Sequence, residues 1–86
     1  MYKDDVEYII VCLRKALDEL EDAEKTAVRY LPRNYIYVKE RGIDVHHPQW
    51  VLDSILFIKA KIALLMQALR YDKALLEKEG EANEGE

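Results

Sequence analysis

Arg41 and His46 stand with four residues between them, in a segment spanning residues 30–50 that also holds His47, Tyr30, Tyr35, Tyr37, Arg33, Lys39 and the lone tryptophan, Trp50. An arginine fixed near a histidine suits phosphoryl chemistry. The imidazole moves a proton as general base or acid, and the guanidinium neutralises charge on a phosphate. A second chemistry is written in the same residues. Arg29, Arg33, Lys39 and Arg41 alternate with Tyr35 and Tyr37, so cations that pair phosphates are interleaved with rings on which bases stack. Residues 25–47 carry 5 basic and 2 acidic groups, net +3, whereas residues 1–24 are net −5 and residues 48–86 net −2. The basic segment is therefore isolated, and the acid-rich remainder repels nucleic acid. Aromatic side chains in a connector also serve a plainer purpose, closing the open end of a helical core.

The Arg41/His46 pair resembles the Arg-x4-6-His pattern of the HEPN ribonucleases, helical and usually dimeric proteins in which such a pair lines a cleft at the dimer interface. The resemblance covers six residues and implies His46 as proton carrier and Arg41 as phosphate stabiliser. The chain differs from that family in carrying Gly42 directly after the arginine and in placing the pair ahead of a helix rather than at its start. Metal binding needs three or four converging ligands, and neither a second histidine pair nor spaced cysteines accompany His46 and His47, so no metal or cofactor is expected. Cys12 has no catalytic partner pattern and is expected to be a small core residue at the flank of a helix stripe.

The elements that must position these residues are helical. Glycines and prolines number only 3 and 2 among 86 residues, and half of the chain is apolar. Apolar residues recur at Val6, Ile9, Ile10, Leu13, Ala16, Leu17, Leu20, Ala23, Ala27 and Leu31, a spacing of three and four that predicts one amphipathic helix. Asp4 is expected as its N-cap, with Glu7 completing a capping box, and Pro32 as its stop, giving helix 1 over about residues 4–31. A second helix is predicted from about 48 to 79, opened by Pro48 and closed by Gly80, with residues 80–86 as a flexible acidic tail. The connector, residues 32–47, is too long for a bare loop. It reads either as a short helix capped by Gly42, with Ile43 folding back as in a Schellman motif, or as a small β-hairpin; the short helix is preferred.

These elements predict an all-α fold of one domain, residues 1–79: an elongated antiparallel helical hairpin with a short structured connector. Helix 2 carries more apolar surface than helix 1 can cover. One stripe runs through Val51, Ile55, Ile58, Ile62, Leu65, Leu69 and Leu76; a second holds Phe57, Leu64, Ala68, Tyr71 and Leu75; a third holds Leu52, Leu56 and Ala63. The second stripe is the expected oligomer interface, joining two copies into a homodimeric four-helix bundle, with another protein partner as an alternative occupant. A membrane-spanning reading of residues 50–69 fails because Asp53, Lys59 and Lys61 would each cost about 2.5–3.5 kcal/mol near the bilayer centre. The single cysteine and the absence of secretory character in the first residues favour a cytoplasmic protein. Only six uncharged Ser, Thr, Asn or Gln side chains stand against 30 charged ones, a balance found in heat-adapted proteins. The expected function is a self-associating interaction or adaptor module without catalysis. Nucleic-acid binding through the basic connector ranks second and an RNA-cleaving site third.

Overall fold

The computed structural model describes residues 2–84, and among them forms three helices and no strand: α1 Tyr2–Arg29, α2 Leu31–Glu40 and α3 Pro48–Glu84. Its radius of gyration is 19.9 Å and its extents are 72 × 17 × 15 Å. A compact chain of this length would have a radius near 12 Å. The molecule is a rod about two helices thick.

Ion pairs fix the direction of the two long helices. Lys3 meets Glu77 at 3.6 Å, Glu7 meets Lys73 at 3.5 Å, and Glu24 meets Lys59 at 2.6 Å, so α3 descends as α1 ascends. The burial pattern identifies the seam between them. On α1 it comprises Lys3, Val6, Ile10, Leu13, Leu17, Leu20, Glu24 and Ala27, followed by Leu31 at the start of α2; on α3 it comprises Leu52, Ile55, Lys59, Ile62, Met66, Leu69, Lys73, Leu76 and Gly80. Both sets alternate steps of three and four without a break, which is the packing rule of an antiparallel coiled coil. Met66, 2% exposed, and Val6, 3%, are its best buried members.

Several boundaries differ from those expected. The helix begins at Tyr2, so Asp4 lies inside the first turn beside Asp5 and acts on the helix dipole instead of capping. Gly80 does not end α3. It is a seam position, where a missing side chain is tolerated, and helix continues to Glu84; residues 85 and 86 of the expected tail lie outside the described residues. Met66 belonged to none of the expected stripes, and Ile58 and Leu65, members of the first stripe, sit on an exposed flank. Cys12 is exposed, not a core residue, because it falls on the outward side of the α1 repeat.

Pro32 has no N–H to donate, and the helix breaks for one residue at Tyr30 before resuming as α2. The connector is helical, as preferred. Gly42, at φ 77°, ends it, with its N–H donating to the Lys39 carbonyl at 3.0 Å and the Ile43 N–H donating to the Val38 carbonyl at 3.3 Å. These are the two bonds of a Schellman motif. His47 starts α3: its Nδ1 accepts the Gln49 N–H at 3.0 Å, and its carbonyl accepts the Val51 N–H at 3.2 Å. Nδ1 must therefore hold a lone pair, and the proton sits on Nε2.

The two described internal glycines respond oppositely to one substitution. A Cβ on either would meet nothing within 4 Å, but only Gly42 has a positive φ. Gly42→Ala is expected to destabilise by about 1–2 kcal/mol, and Gly80→Ala to stabilise by about 0.5–1 kcal/mol. Urea unfolding followed by circular dichroism measures both signs.

Candidate functional site

In a two-helix rod the position farthest from the partner helix faces water. On α1 that position is filled by Tyr8, Lys15, Asp22 and Arg29, a mostly charged set. On α3 the corresponding residues are Trp50, Phe57, Leu64 and Tyr71, at seven-residue intervals and 57%, 72%, 64% and 66% exposed. Beside them lie Ile58, Leu65, Ala68 and Leu75, also exposed. The structure thus brings the five expected interface residues Phe57, Leu64, Ala68, Tyr71 and Leu75 onto one open face, and adds Trp50, Ile58 and Leu65. The signal that would have found the additions is the repeat of apolar doublets, Trp50-Val51, Phe57-Ile58 and Leu64-Leu65, one heptad apart.

This face is not flat. One cleft of about 680 Å³ is lined by Tyr2, Asp72, Leu75, Leu76, Lys78 and Glu79. Another, of about 310 Å³, is lined by Lys61, Ile62, Leu64 and Leu65. Leu75, Leu76, Lys78 and Glu79 stand two heptads after Lys61, Ile62, Leu64 and Leu65, so the same four helix positions wall both clefts. On the opposite flank of the stripe the character changes: Asp53, Ala60, Gln67 and Ala74 are polar or small. The apolar surface is directional.

At the other end of the rod the inward side of α2, the returning segment and the first turn of α3 enclose a hollow of about 310 Å³ lined by Leu31, Asn34, Tyr35, Val38, Val45, His46 and Val51. Tyr35 packs against His47 with ring centres 5.1 Å apart, and His46 stacks on Trp50 at 4.5 Å. Three of the basic residues are held by neighbouring rings or acids. Arg29 lies 5.9 Å from the Tyr30 ring, Lys39 lies 6.0 Å from Tyr35 and 3.7 Å from Asp44, and Arg41 donates to the Tyr37 hydroxyl at 2.6 Å. Arg33, Tyr37 and Arg41 follow one another at four-residue steps on the exposed side of α2, whereas Tyr35 and Lys39 lie on another side. Five of the six candidate nucleic-acid residues are thereby divided between two faces, and the sixth, Arg29, lies at the end of α1. Arg41 is engaged with Tyr37 and His46 with Trp50, and no hydrogen bond joins Arg41 to His46 among the described residues. Among those residues no three or more His, Cys, Asp or Glu side chains converge as metal ligands would.

Lys59 shows how the inner seam is held apart from the outer face. Two residues before the exposed Lys61, it points into the α1–α3 seam, where its ammonium donates to Glu24 Oε1 at 2.6 Å with both side chains less than a third exposed. The hydrogen bond to Glu24, opposed by desolvation and aided by the charges of Glu24 and Glu21, raises its pKa above the ordinary value of 10.5. A charge at a seam position fixes register, since sliding one helix would strand it. Because the folded pKa is the higher one, the pair's contribution is fully present below the unfolded value of 10.5 and disappears as pH rises through the raised value. The stability difference between the native chain and Lys59→Met is therefore expected to be level below that value and to shift against the native chain above it. Thermal melts across that alkaline range, with Glu24→Gln as the matching variant, check the sign.

Comparison with known proteins finds no matching family model, no matching curated protein and no matching solved structure. Among the described residues no helix is long and apolar enough to cross a membrane.

Proposed function

We propose that this chain is a non-catalytic interaction module, a helical hairpin that self-associates through the outward stripe of α3 into a homodimeric four-helix bundle. The observation that carries the reading is the heptad of large apolar side chains, Trp50, Phe57, Leu64 and Tyr71, at the helix positions most remote from α1. Single exposed apolar residues are ordinary; a contiguous stripe is not. At about 1.5 Å per residue, Trp50 to Leu75 covers roughly 37 Å, and a strip one helix wide on that length reaches the few hundred Å² that mark an interaction surface. A second helix lying along it would be long enough to approach the burial of about 800 Å² per partner found in stable interfaces. The ring-rich end of α2 supports the same reading from the other side, because Arg29, Lys39 and Arg41 already meet rings or acids within the chain.

Light scattering at micromolar concentration is expected to give twice the chain mass. Leu64→Asp and Leu65→Asp each place a charge within the apolar surface and are expected to give a helical monomer. A native chain that is monomeric, and whose melting is unchanged by either substitution, would sink the proposal.

A further inference from the structure

Resting on that reading, we infer that the occupant of the α3 stripe is a second copy of α3 running antiparallel, with the two-fold axis level with Met66. Two features of the face impose this arrangement. Phe57 and Tyr71 project from it two heptads apart, about 21 Å along the helix axis, and its two clefts, at Lys61–Leu65 and around Leu75, are also two heptads apart. Turned end for end about Met66, each projection meets a cleft. Phe57 enters the cleft lined by Tyr2, Asp72 and Leu75 of the partner subunit, and Tyr71 enters the groove beside the partner's Lys61. Between them Leu64 faces the partner's Ala68, large against small. This is knobs-into-holes packing with the bulk of each side matched by the gaps of the other.

Charge selects the same orientation. Lys61 comes beside the partner's Asp72, twice by symmetry, and these two charged residues interrupt an otherwise apolar stripe. A parallel dimer in register would instead set Lys61 against the partner's Lys61 and Asp72 against the partner's Asp72, while stacking Phe57 on the partner's Phe57 and leaving Ala68 opposite the partner's Ala68. Like charges and unfilled layers disfavour it.

Ser54 and Lys78 mark the ends of the antiparallel contact, each level with the other residue on the partner. In a Cys12→Ser background, the double variant Ser54→Cys/Lys78→Cys is expected to oxidise to a covalent dimer, while either cysteine alone leaves the chain uncrosslinked. A parallel pair in register crosslinks through either cysteine alone, and a slip of one heptad moves the pair about 10 Å apart, beyond disulfide reach. Asp72→Lys and Lys61→Glu are each expected to weaken dimerisation about tenfold or more by creating symmetric repulsion, and the exchanged double variant to recover most of the loss. Light scattering on the reduced proteins separates the outcomes. A dimer that crosslinks through Ser54→Cys or Lys78→Cys alone overturns the orientation and leaves self-association standing. A dimer in which the double variant fails to crosslink and the charge exchange restores nothing overturns the register. A monomeric native chain, with the stripe left to a different protein, overturns both this inference and the function on which it rests.

Discussion

Two helices lying side by side can bury only one stripe of each, and every other feature of this molecule follows from how that single seam is made. Steps of three and four hold from Lys3 to Ala27 on α1 and from Leu52 to Gly80 on α3, long enough that the rod needs no third layer to keep its helices parallel to one axis. Registry is supplied at both ends by charge, Glu24 with Lys59 and Glu7 with Lys73, and in the middle by Met66. A seam of this kind gains little per residue, because most of its members are only half buried. What it gains in return is an exact alignment, and with it a fixed outward face.

The helices were legible from the order of residues because their signals are local. The spacing of Val6, Ile10, Leu13, Leu17 and Leu20 defines one face whatever lies against it, and Pro48 marks a helix start by its own chemistry. The end of α2 was legible for the same reason: Gly42 followed by Ile43 completes a turn within six residues. Reading failed where the outcome depended on a distant partner. Lys59 looked like an interruption of an apolar strip until Glu24, 35 residues away, was placed opposite it. Leu65 and Met66 are adjacent and equally apolar, and only the register of α1 decides which of them is buried. Gly80 carries a stop signal, yet α3 runs through it to Glu84, and its surroundings are open enough that a Cβ there would meet nothing within 4 Å. For the candidate site, the five residues of the stripe could be read from periodicity alone, but not the clefts between them, whose walls include Tyr2 from the far end of the chain.

The basic, tyrosine-rich segment illustrates how a concentration of reactive residue types can arise from packing demands. The open end of a coiled coil exposes the edges of its last layer, and here Tyr35, His46, His47 and Trp50 close it by ring contacts. Once rings are present, cations gather on them at modest gain, as Arg41 does on Tyr37 and Lys39 on Tyr35. His47 adds a structural duty, accepting the Gln49 N–H through Nδ1. The same residue types would suit phosphate recognition, but recognition requires convergence on one surface, and α2 divides these residues between two.

The thinness of the core would couple folding to the proposed assembly. Val6, Ala27, Pro48 and Met66 are the buried apolar side chains among the described residues, so α3 spends much of its apolar surface on water. Covering the outer stripe with a second α3 would move that helix from the edge of a two-helix rod to the centre of a four-helix assembly, burying Phe57, Leu64 and Tyr71 without altering the inner seam. By mass action such a contact stabilises the folded chain in proportion to the logarithm of its concentration. Inner and outer seams then reinforce one another, because Lys59 fixes the rotation of α3 about its axis and that rotation decides whether Lys61 and Asp72 face outward together. An error in the first register would misplace the second, which makes the short ion pair between Glu24 and Lys59 the point on which both the fold and the proposed assembly turn.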